Sequence, residues 1–151
     1  MSTLKDRLTA DMRAALKARD ELTTSTLRMA LAAVGNAEVA GKAKRELSDD
    51  EVLAVLTKEA KKRREAAAAF ADAGRAEQAD KETAEGAVLD RYLPKQLSEQ
   101  ELTELVSGAL AAAGFTEKSQ MGPAMKAAQA AVAGRAEGGR VAAEVRRQLG
   151  L

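Results

Sequence analysis

The sequence contains no cysteine and no histidine. The absence of cysteine excludes disulfide bonds and thiolate chemistry. The absence of histidine removes the commonest general base, the commonest metal ligand and the usual partner of a nucleophilic serine. A serine nucleophile with a lysine base is still chemically possible. However, the residues around Ser119, Lys118 and Lys126 do not form a recognisable serine–lysine motif. The sequence therefore predicts no catalytic residue, no metal site and no cofactor.

Aromatic residues are also scarce, because Phe70, Tyr92 and Phe115 are the only ones in the 151-residue sequence. Alanine, by contrast, contributes 35 residues. Alanine favours helix more than any other residue, but it buries little apolar area. Strand-favouring β-branched residues are few. The composition predicts an all-α protein of modest stability.

Long apolar runs are missing as well. No stretch approaches the roughly 20 residues that a membrane-spanning helix needs. The first residues, Met-Ser-Thr-Leu-Lys-Asp-Arg, do not include the apolar stretch of a signal peptide. We therefore expect a cytoplasmic protein that does not engage a membrane.

The charges are nearly balanced, with a net charge of +1, so the total does not indicate a nucleic-acid partner. Residues 1–93 contain 17 basic and 17 acidic residues. Residues 118–151 contain six basic and two acidic residues, a net charge of +4. We therefore expect the C-terminal end to be the electropositive end.

The segment from Leu89 to Glu101 separates two helical parts of the chain. Pro94 has no N–H and disfavours helical geometry in the preceding residue, so a helix should end near Leu93. Ser98 and Glu101 have the spacing of a capping box, which predicts a helix start. The sequence thus predicts an N-terminal subdomain of about four helices (residues 1–93) and a C-terminal three-helix bundle (residues 94–151). An ordinary turn between two helices is the alternative.

Periodic apolar positions, caps and glycine stops predict the individual helices. The expected helix starts are Thr3, Asp20–Glu21, Ser48, Ala76, Ser98, Gly122–Pro123 and the residue after a tight Gly138–Gly139 turn. The third helix should run for about 24 residues and end near Gly74, and the fifth should end at Gly114. The first should bury a row of side chains that includes Leu16. The residues from Asp80 to Glu85 are expected to form a solvated acidic face.

Two groups of basic residues are candidates for binding phosphate. The first is the run Lys58, Lys61, Lys62, Arg63 and Arg64, which spreads over more than half the circumference of a helix. It is either a solvated face balanced by glutamates or a phosphate-facing patch. The second is the segment Gly134–Arg140, where two arginines flank glycines at a helix N-terminus, a geometry that suits phosphate. An ordinary glycine-rich turn is the alternative there.

Several motifs resemble the GatB/YqeY family of small bacterial proteins. The matching residues of the first part are Leu27-Arg28-Met29, Asn36-Ala37-Glu38, Lys61-Lys62-Arg63-Arg64-Glu65, Phe70 and Gly74-Arg75. The matching residues of the segment between the two helical parts and of the last part are Glu85, Leu89, Tyr92–Ser98, Met121–Met125, Gly134-Arg135-Ala136, Val141, Val145 and Leu149. Pro123 departs from the pattern, because the family commonly has a bulkier or basic residue there. The resemblance covers essentially the whole chain.

The resemblance implies two helical subdomains, the larger one first, and kinship with the C-terminal helical and tail regions of GatB. GatB is the amidotransferase subunit that acts on misacylated Glu-tRNA and Asp-tRNA. A similar module is appended to some bacterial glutaminyl-tRNA synthetases, where it contacts tRNA and is not the catalytic part. Family labels often give carbon–nitrogen ligase activity with glutamine as amido-N-donor. That activity requires a kinase-like core and a separate glutaminase partner, so we expect this chain alone to be non-catalytic.

We therefore expect a module that binds tRNA by its shape and phosphate backbone and is associated with tRNA-dependent amidation or aminoacylation. The candidate RNA-binding residues are Lys126, Arg135, Arg140, Arg146, Arg147, Lys61, Lys62 and Arg64. A protein-interaction adaptor for a tRNA-processing enzyme is the alternative. Amidotransferase activity of the chain itself is a third hypothesis. The oligomeric state stays open.

Overall fold

The computed structural model describes residues 3–151, which form seven α-helices and one 3-10 turn and contain no β-strand. The helices are α1 (Leu4–Lys17), α2 (Glu21–Val39), α3 (Asp49–Asp72), α4 (Ala76–Asp90), α5 (Glu99–Ala113), α6 (Met121–Val132) and α7 (Gly138–Gln148). The 3-10 turn, Lys118–Gln120, directly precedes α6. Among these described helices, none has the length and apolar character needed to cross a membrane. The prediction of an all-α protein is confirmed.

Three helices begin with the capping boxes that the sequence predicts. The hydroxyls of Thr3, Ser48 and Ser98 each accept a hydrogen bond from the backbone N–H three residues later. The acidic side chain of that later residue accepts a hydrogen bond from the backbone N–H of the capping residue. In the second box, an ion pair with Arg45 and hydrogen bonds from Ser48 lower the pKa of Glu51 to about 2. These bonds satisfy N–H groups that have no partner inside the helix.

Four helices end with the same hydrogen-bond pattern, in which one residue adopts positive φ after the last helical turn. The next residue then donates its N–H to a carbonyl five residues earlier, at 2.8–2.9 Å. The residues with positive φ are Arg19 (58°), Gly74 (76°), Gly114 (74°) and Gly150 (78°). Glycine adopts this left-handed conformation without steric cost, so Arg19 is the exception among the four. The predicted stops near Gly74 and at Gly114 are confirmed.

Two predicted helix boundaries differ from the structure. Helix α4 ends at Asp90 rather than near Leu93, because the N–H groups of Tyr92 and Leu93 bond to carbonyls only three residues back, at 3.0 and 3.2 Å. Gly138 and Gly139 lie inside the first turn of α7 rather than in a turn before it. Glu137 is the N-cap, and its carbonyl accepts the first helical hydrogen bond, from Val141, at 3.1 Å.

The chain divides into two compact units, of which the first ends at Leu93 and the second comprises Pro94–Leu151. Residues 1 and 2 of the predicted first subdomain lie outside the described residues. That the two units are independently folding domains stays a prediction. Each unit has a hydrophobic core of its own.

The core of the first unit takes one fully buried leucine from each of its four helices. These side chains are Leu8, Leu27, Leu56 and Leu89, each at most 1% exposed. The smaller residues packed with them are Ala30, Val34, Val52, Ala60 and Val88. Leu16, expected on the buried side of α1, is instead 55% exposed. The reason is that Leu8 and Ala15 take the inward positions, and Leu16 follows Ala15 round the helix by one position.

The core of the second unit consists of one row of apolar side chains from each of α5, α6 and α7. The rows are Leu102, Val106 and Leu110; Ala124, Ala128 and Val132; and Val141, Val145 and Leu149. The spacing of four residues in every row brings the side chains onto one side of each helix. The two alanines of α6 add little apolar area but give the neighbouring helices room to approach.

The buried leucine row of the first unit leads to a direct test of stability. Leu56→Ala leaves a cavity among four helices and should lower the free energy of unfolding by about 2–5 kcal/mol. Leu16→Ala removes the same atoms from an exposed side chain and should change it by about 0.5 kcal/mol or less. Urea denaturation followed by circular dichroism measures both. Equal effects of the two variants would contradict this arrangement of α1 and α3.

Candidate nucleic-acid interface

Arg135 closes the C-terminal end of α6. Its Nε donates to the carbonyl of Val132 at 3.0 Å, and its Nη2 donates to that of Ala131 at 3.2 Å. These carbonyls belong to the last turn, which has no further helical N–H groups to bond. The carbonyl of Arg135 in turn accepts a hydrogen bond from the N–H of Leu97 at 2.7 Å. Arg135 is half-buried, and its guanidinium therefore has a structural role as the cap of α6.

Arg140 ties the first turn of α7 to the start of α5. Its Nη2 donates to Glu99 Oε1 at 2.8 Å and to the carbonyl of Leu97 at 3.0 Å. Its side chain is 31% exposed. A phosphate group at this position would compete with the carboxylate of Glu99. Arg135 and Arg140, the two arginines of the predicted phosphate turn, thus both have structural partners.

Arg147 forms an ion pair with Glu144, three residues earlier on α7. This pair holds the pKa of the Glu144 carboxyl below its usual value, with a further hydrogen bond from Gln148 at 2.8 Å. Glu144 itself is buried. The side chain of Arg147 is 62% exposed, so part of its guanidinium still faces solvent.

Lys126 on α6 and Arg146 on α7 are the open cations among the five C-terminal candidates. Both are exposed, and neither has an ion-pair or hydrogen-bond partner within residues 3–151. Lys126 follows the buried Ala124 by two positions, which puts it well away from the inward row of α6. The five candidates therefore divide into three that have partners and two that do not.

The net charge of the second unit is smaller than that of its last 34 residues. The predicted electropositive end, residues 118–151, carries +4. The compact unit begins at Pro94, and residues 94–117 add one lysine and four glutamates, which brings its net charge to +1. One of these glutamates, Glu99, pairs directly with Arg140. The electropositive segment 118–151 therefore shares its unit with acidic residues of α5 that offset most of its charge.

The other three candidates, Lys61, Lys62 and Arg64, are exposed on α3. Lys58, Lys61 and Lys62 are spaced by three and four residues, so they project from one side of the helix. We call these three residues the lysine face of α3. Lys62 is 65% exposed and lies 3.4 Å from Glu59 Oε1. The lysine face is a group of exposed basic side chains that lie together on α3, and one of them, Lys62, pairs with Glu59.

Arg63 turns away from this face and lies between α3, α4 and α2. Its side chain is 11% exposed and forms an ion pair with Glu85, whose side chain is 4% exposed. Nη1 also lies 3.4 Å from Glu82 Oε2, and Nη2 donates to Met29 Sδ at 3.6 Å. The Nε of Arg63 is buried without a hydrogen-bond partner among the described residues.

The prediction of a solvated acidic face from Asp80 to Glu85 is wrong for Glu85. Glu85 precedes Val88 and Leu89 by three and four residues, so it occupies the buried side of α4. The same spacing was legible in the sequence and was the signal for this buried carboxylate. The buried carboxylate pairs with Arg63, as a buried charge requires, because an unpartnered charge there would be costly.

Glu38 is a second buried carboxylate that the sequence analysis missed. Its Oε1 accepts a hydrogen bond from Lys5 Nζ at 2.7 Å, and its Oε2 lies 3.4 Å from the N–H of Leu47. The bond from Lys5, the larger effect, and the bond from Leu47 lower the pKa of the Glu38 carboxyl, against the opposing effect of burial. The Arg45 N–H donates to the Glu38 carbonyl at 3.0 Å. Glu38 thus anchors the segment between α2 and α3 as well as α1.

Tyr92 anchors the end of the first unit to α1. Its hydroxyl donates to Asp11 Oδ2 at 2.6 Å, and the Arg7 guanidinium carbon lies 4.8 Å from the centre of its ring. Burial and the negative charge of Asp11 both raise the pKa of Tyr92 above its usual value. Tyr92 is therefore held against α1 by a polar contact.

Metal-binding geometry is not found in the described part of the chain. Residues 3–151 contain no cluster of three or more acidic side chains placed to hold a metal ion.

These observations define a small all-helical protein whose buried charges connect helices and whose open cations lie on helix surfaces. The chain belongs to the YqeY family, because the family model described as Yqey-like protein matches residues 5–149, nearly the whole sequence. This confirms the family that the sequence motifs indicated. No curated protein matches the chain.

The buried ion pair between α3 and α4 is testable by a double-mutant cycle. Arg63→Met leaves the Glu85 carboxylate buried without its partner and should cost about 3–5 kcal/mol of unfolding free energy. The double variant R63M/E85L removes both charges and should recover most of that loss. Urea denaturation of the wild type, of the single variants R63M and E85L and of the double variant gives the coupling energy.

Lys62→Gln is the matched control, because it removes a neighbouring cation that is largely exposed. It should change the unfolding free energy by about 0.5 kcal/mol or less. If Arg63→Met proves as mild as Lys62→Gln, then Arg63 does not sit in the buried position described here.

Proposed function

We propose that this protein is a non-catalytic module that binds tRNA through RNA shape and the phosphate backbone. It would serve tRNA-dependent amidation or aminoacylation. The observation that carries the proposal is the lysine face of α3, supported by membership of the YqeY family. Both features favour contact with a polyanion rather than with a small substrate.

The position of the lysine face suits a backbone contact. Helix α3 has 24 residues, the most of any helix in residues 3–151, and is roughly 36 Å long by the usual rise per residue. Arg63 is occupied by Glu85, whereas Lys58, Lys61 and Lys62 are exposed. Exposed lysines act as mobile point charges, which contact phosphates without reading the bases.

Base stacking has little part in the proposed recognition, because stacking needs exposed aromatic rings. The three aromatic side chains, Phe70, Tyr92 and Phe115, are all half-buried. The Tyr92 hydroxyl is also bonded to Asp11. We therefore propose recognition of the overall shape and the phosphates of folded RNA.

The proposed contact residues fall into two groups. Lys61, Lys62 and Arg64, with Lys58 beside them, form the main group on the first unit, and Lys126 and Arg146 supply open cations on the second. Arg135, Arg140 and Arg147 contribute less in this proposal, because carbonyls or carboxylates already occupy them.

A protein-interaction adaptor for a tRNA-processing enzyme is the second candidate, favoured by an exposed stripe on α2. Met29, Ala32, Asn36 and Val39 are all exposed and are spaced by three or four residues. Met29 is 43% and Val39 56% exposed. A partner helix could pack on such a stripe. Carbon–nitrogen ligase activity is the third hypothesis, which an assay of glutamine-dependent amidation by the isolated protein addresses.

The tRNA proposal is tested by binding of bulk tRNA across a salt series. Affinity should fall steeply between about 50 and 200 mM salt, because binding releases counterions from the phosphates. The double variant K61Q/K62Q should bind roughly tenfold more weakly and reduce the slope of log K against log salt by about 2. Gel shift or fluorescence anisotropy measures both quantities.

The double variant K42Q/K81Q is the control, because it removes the same charge from exposed lysines elsewhere in the first unit. It should bind more tightly than K61Q/K62Q. The proposal fails if the wild type does not bind tRNA at low salt, or if binding is insensitive to salt. A pull-down that recovers a protein but no RNA would favour the adaptor.

A further inference from the structure

The corner between α1 and α2 contains a shallow pocket that none of the functional residues above explains. It is lined by Leu16, Arg19, Glu21, Thr24, Ser25 and Arg28. Neither the Arg19 nor the Arg28 guanidinium has an ion-pair or hydrogen-bond partner within residues 3–151. Two arginines that share one pocket and have no carboxylate partner can together bind an anion.

The backbone of Arg19 gives independent support. Arg19 has φ of 58°, and it occupies the position that glycine takes at the corresponding ends of α3, α5 and α7. A residue with a Cβ bears a steric cost in this left-handed conformation, and glycine does not. Ala133 at the end of α6 is the other non-glycine residue with positive φ in residues 3–151, at 50°, and its side chain is a methyl group. The backbone conformation at position 19 would therefore favour glycine over arginine.

The helical spacing explains why the pocket residues converge. Glu21, Thr24, Ser25 and Arg28 are separated by three, one and three residues, so they share one side of α2. Arg19 reaches this side from the turn before the helix, and the exposed Leu16 lies on the α1 side. The carboxylate of Asp20 is directed elsewhere, since it accepts bonds from the Thr23 N–H and hydroxyl at 3.1 and 2.7 Å.

The chemistry of the lining suits a phosphate group. A guanidinium presents a planar fork of N–H donors that matches the oxygens of a phosphate. The Ser25 hydroxyl is exposed and bonds weakly to the Leu22 carbonyl at 3.2 Å, so it can turn to a ligand. Thr24 is less available, because its hydroxyl donates to the Asp20 carbonyl at 2.7 Å. Glu21 is the one acidic residue of the lining, which leaves the pocket with a net charge of +1.

We propose that this pocket binds a phosphate group through Arg19 and Arg28, with Ser25 as a further donor. The inference deepens the proposed function, on which it rests for the source of the phosphate: a backbone phosphate of bound RNA. A free phosphate compound offers the same chemistry, and the experiment below distinguishes the two sources.

The first measurement is an NMR titration of the full-length protein with inorganic phosphate. The amide signals of residues 16–28 should shift in the wild type, and these shifts should be lost in Arg28→Gln and in Arg19→Ala. Lys81→Gln, an exposed cation outside the pocket, should keep them. Glu21→Gln should enlarge them at a given phosphate concentration, because it removes the negative charge of the lining.

The second measurement compares Arg19→Gly with Arg19→Ala in tRNA binding and in thermal unfolding. Both variants should bind tRNA roughly three- to tenfold more weakly and reduce the salt slope by about 1, because one phosphate contact is lost. Arg19→Gly should also melt about 2–4 °C above Arg19→Ala, because glycine relieves the backbone strain. The melting difference reports the backbone alone, so equal weakening of tRNA binding in both variants would assign the loss to the missing arginine side chain.

The outcomes separate this inference from the proposed function. If phosphate does not shift residues 16–28 in the wild type, the phosphate site is refuted. If tRNA binding depends on Lys61 and Lys62 but not on Arg19 or Arg28, the RNA role of the pocket is refuted and the tRNA proposal stands. If phosphate shifts these residues but the wild type does not bind tRNA, the phosphate site stands with a free compound as its ligand, and the tRNA proposal fails.

Discussion

The ion pair between Arg63 and Glu85 fixes the longest helix of the first unit against its neighbour. Alanine-rich helices bury little apolar area, so their relative position depends on a few large side chains and on polar contacts of this kind. A buried charge pair tolerates little displacement, because either group alone would be costly in that environment. With Arg63 held inward, the lysine face of α3 is directed outward. One buried contact thus determines which cations of the basic run are available to a partner.

Local signals in the sequence predicted much of the fold. The capping boxes at Thr3, Ser48 and Ser98 and the glycine at Gly114 act within a single helical turn, so neighbouring residues suffice to reveal them. The glycine pair at 138–139 misled, because glycine suits both a turn and a helix start and the choice rested on Glu137 as N-cap.

The candidate site was less predictable, because the partner of each cation is set by the tertiary fold. Arg140 meets Glu99, which is 41 residues away in the sequence, and Arg63 meets Glu85 across 22 residues. A count of charges along the chain does not show which charged residues contact each other in the folded protein. The net +4 of the last 34 residues overstated the charge of the second unit for a simpler reason: that count left out residues 94–117, where α5 begins with glutamates. For Glu85, the helical spacing with Val88 and Leu89 was a local signal that could have placed this carboxylate on the buried side of α4.

The contact between Tyr92 and Asp11 also has a spectroscopic consequence. The sequence has one tyrosine and no tryptophan, so all intrinsic fluorescence excited near 280 nm arises from the first unit. The hydrogen bond to a carboxylate quenches that emission, and breaking the bond restores it. Separation of Tyr92 from α1 is therefore detectable by fluorescence without a label. Changes confined to the second unit, which has no tyrosine or tryptophan, give no such signal.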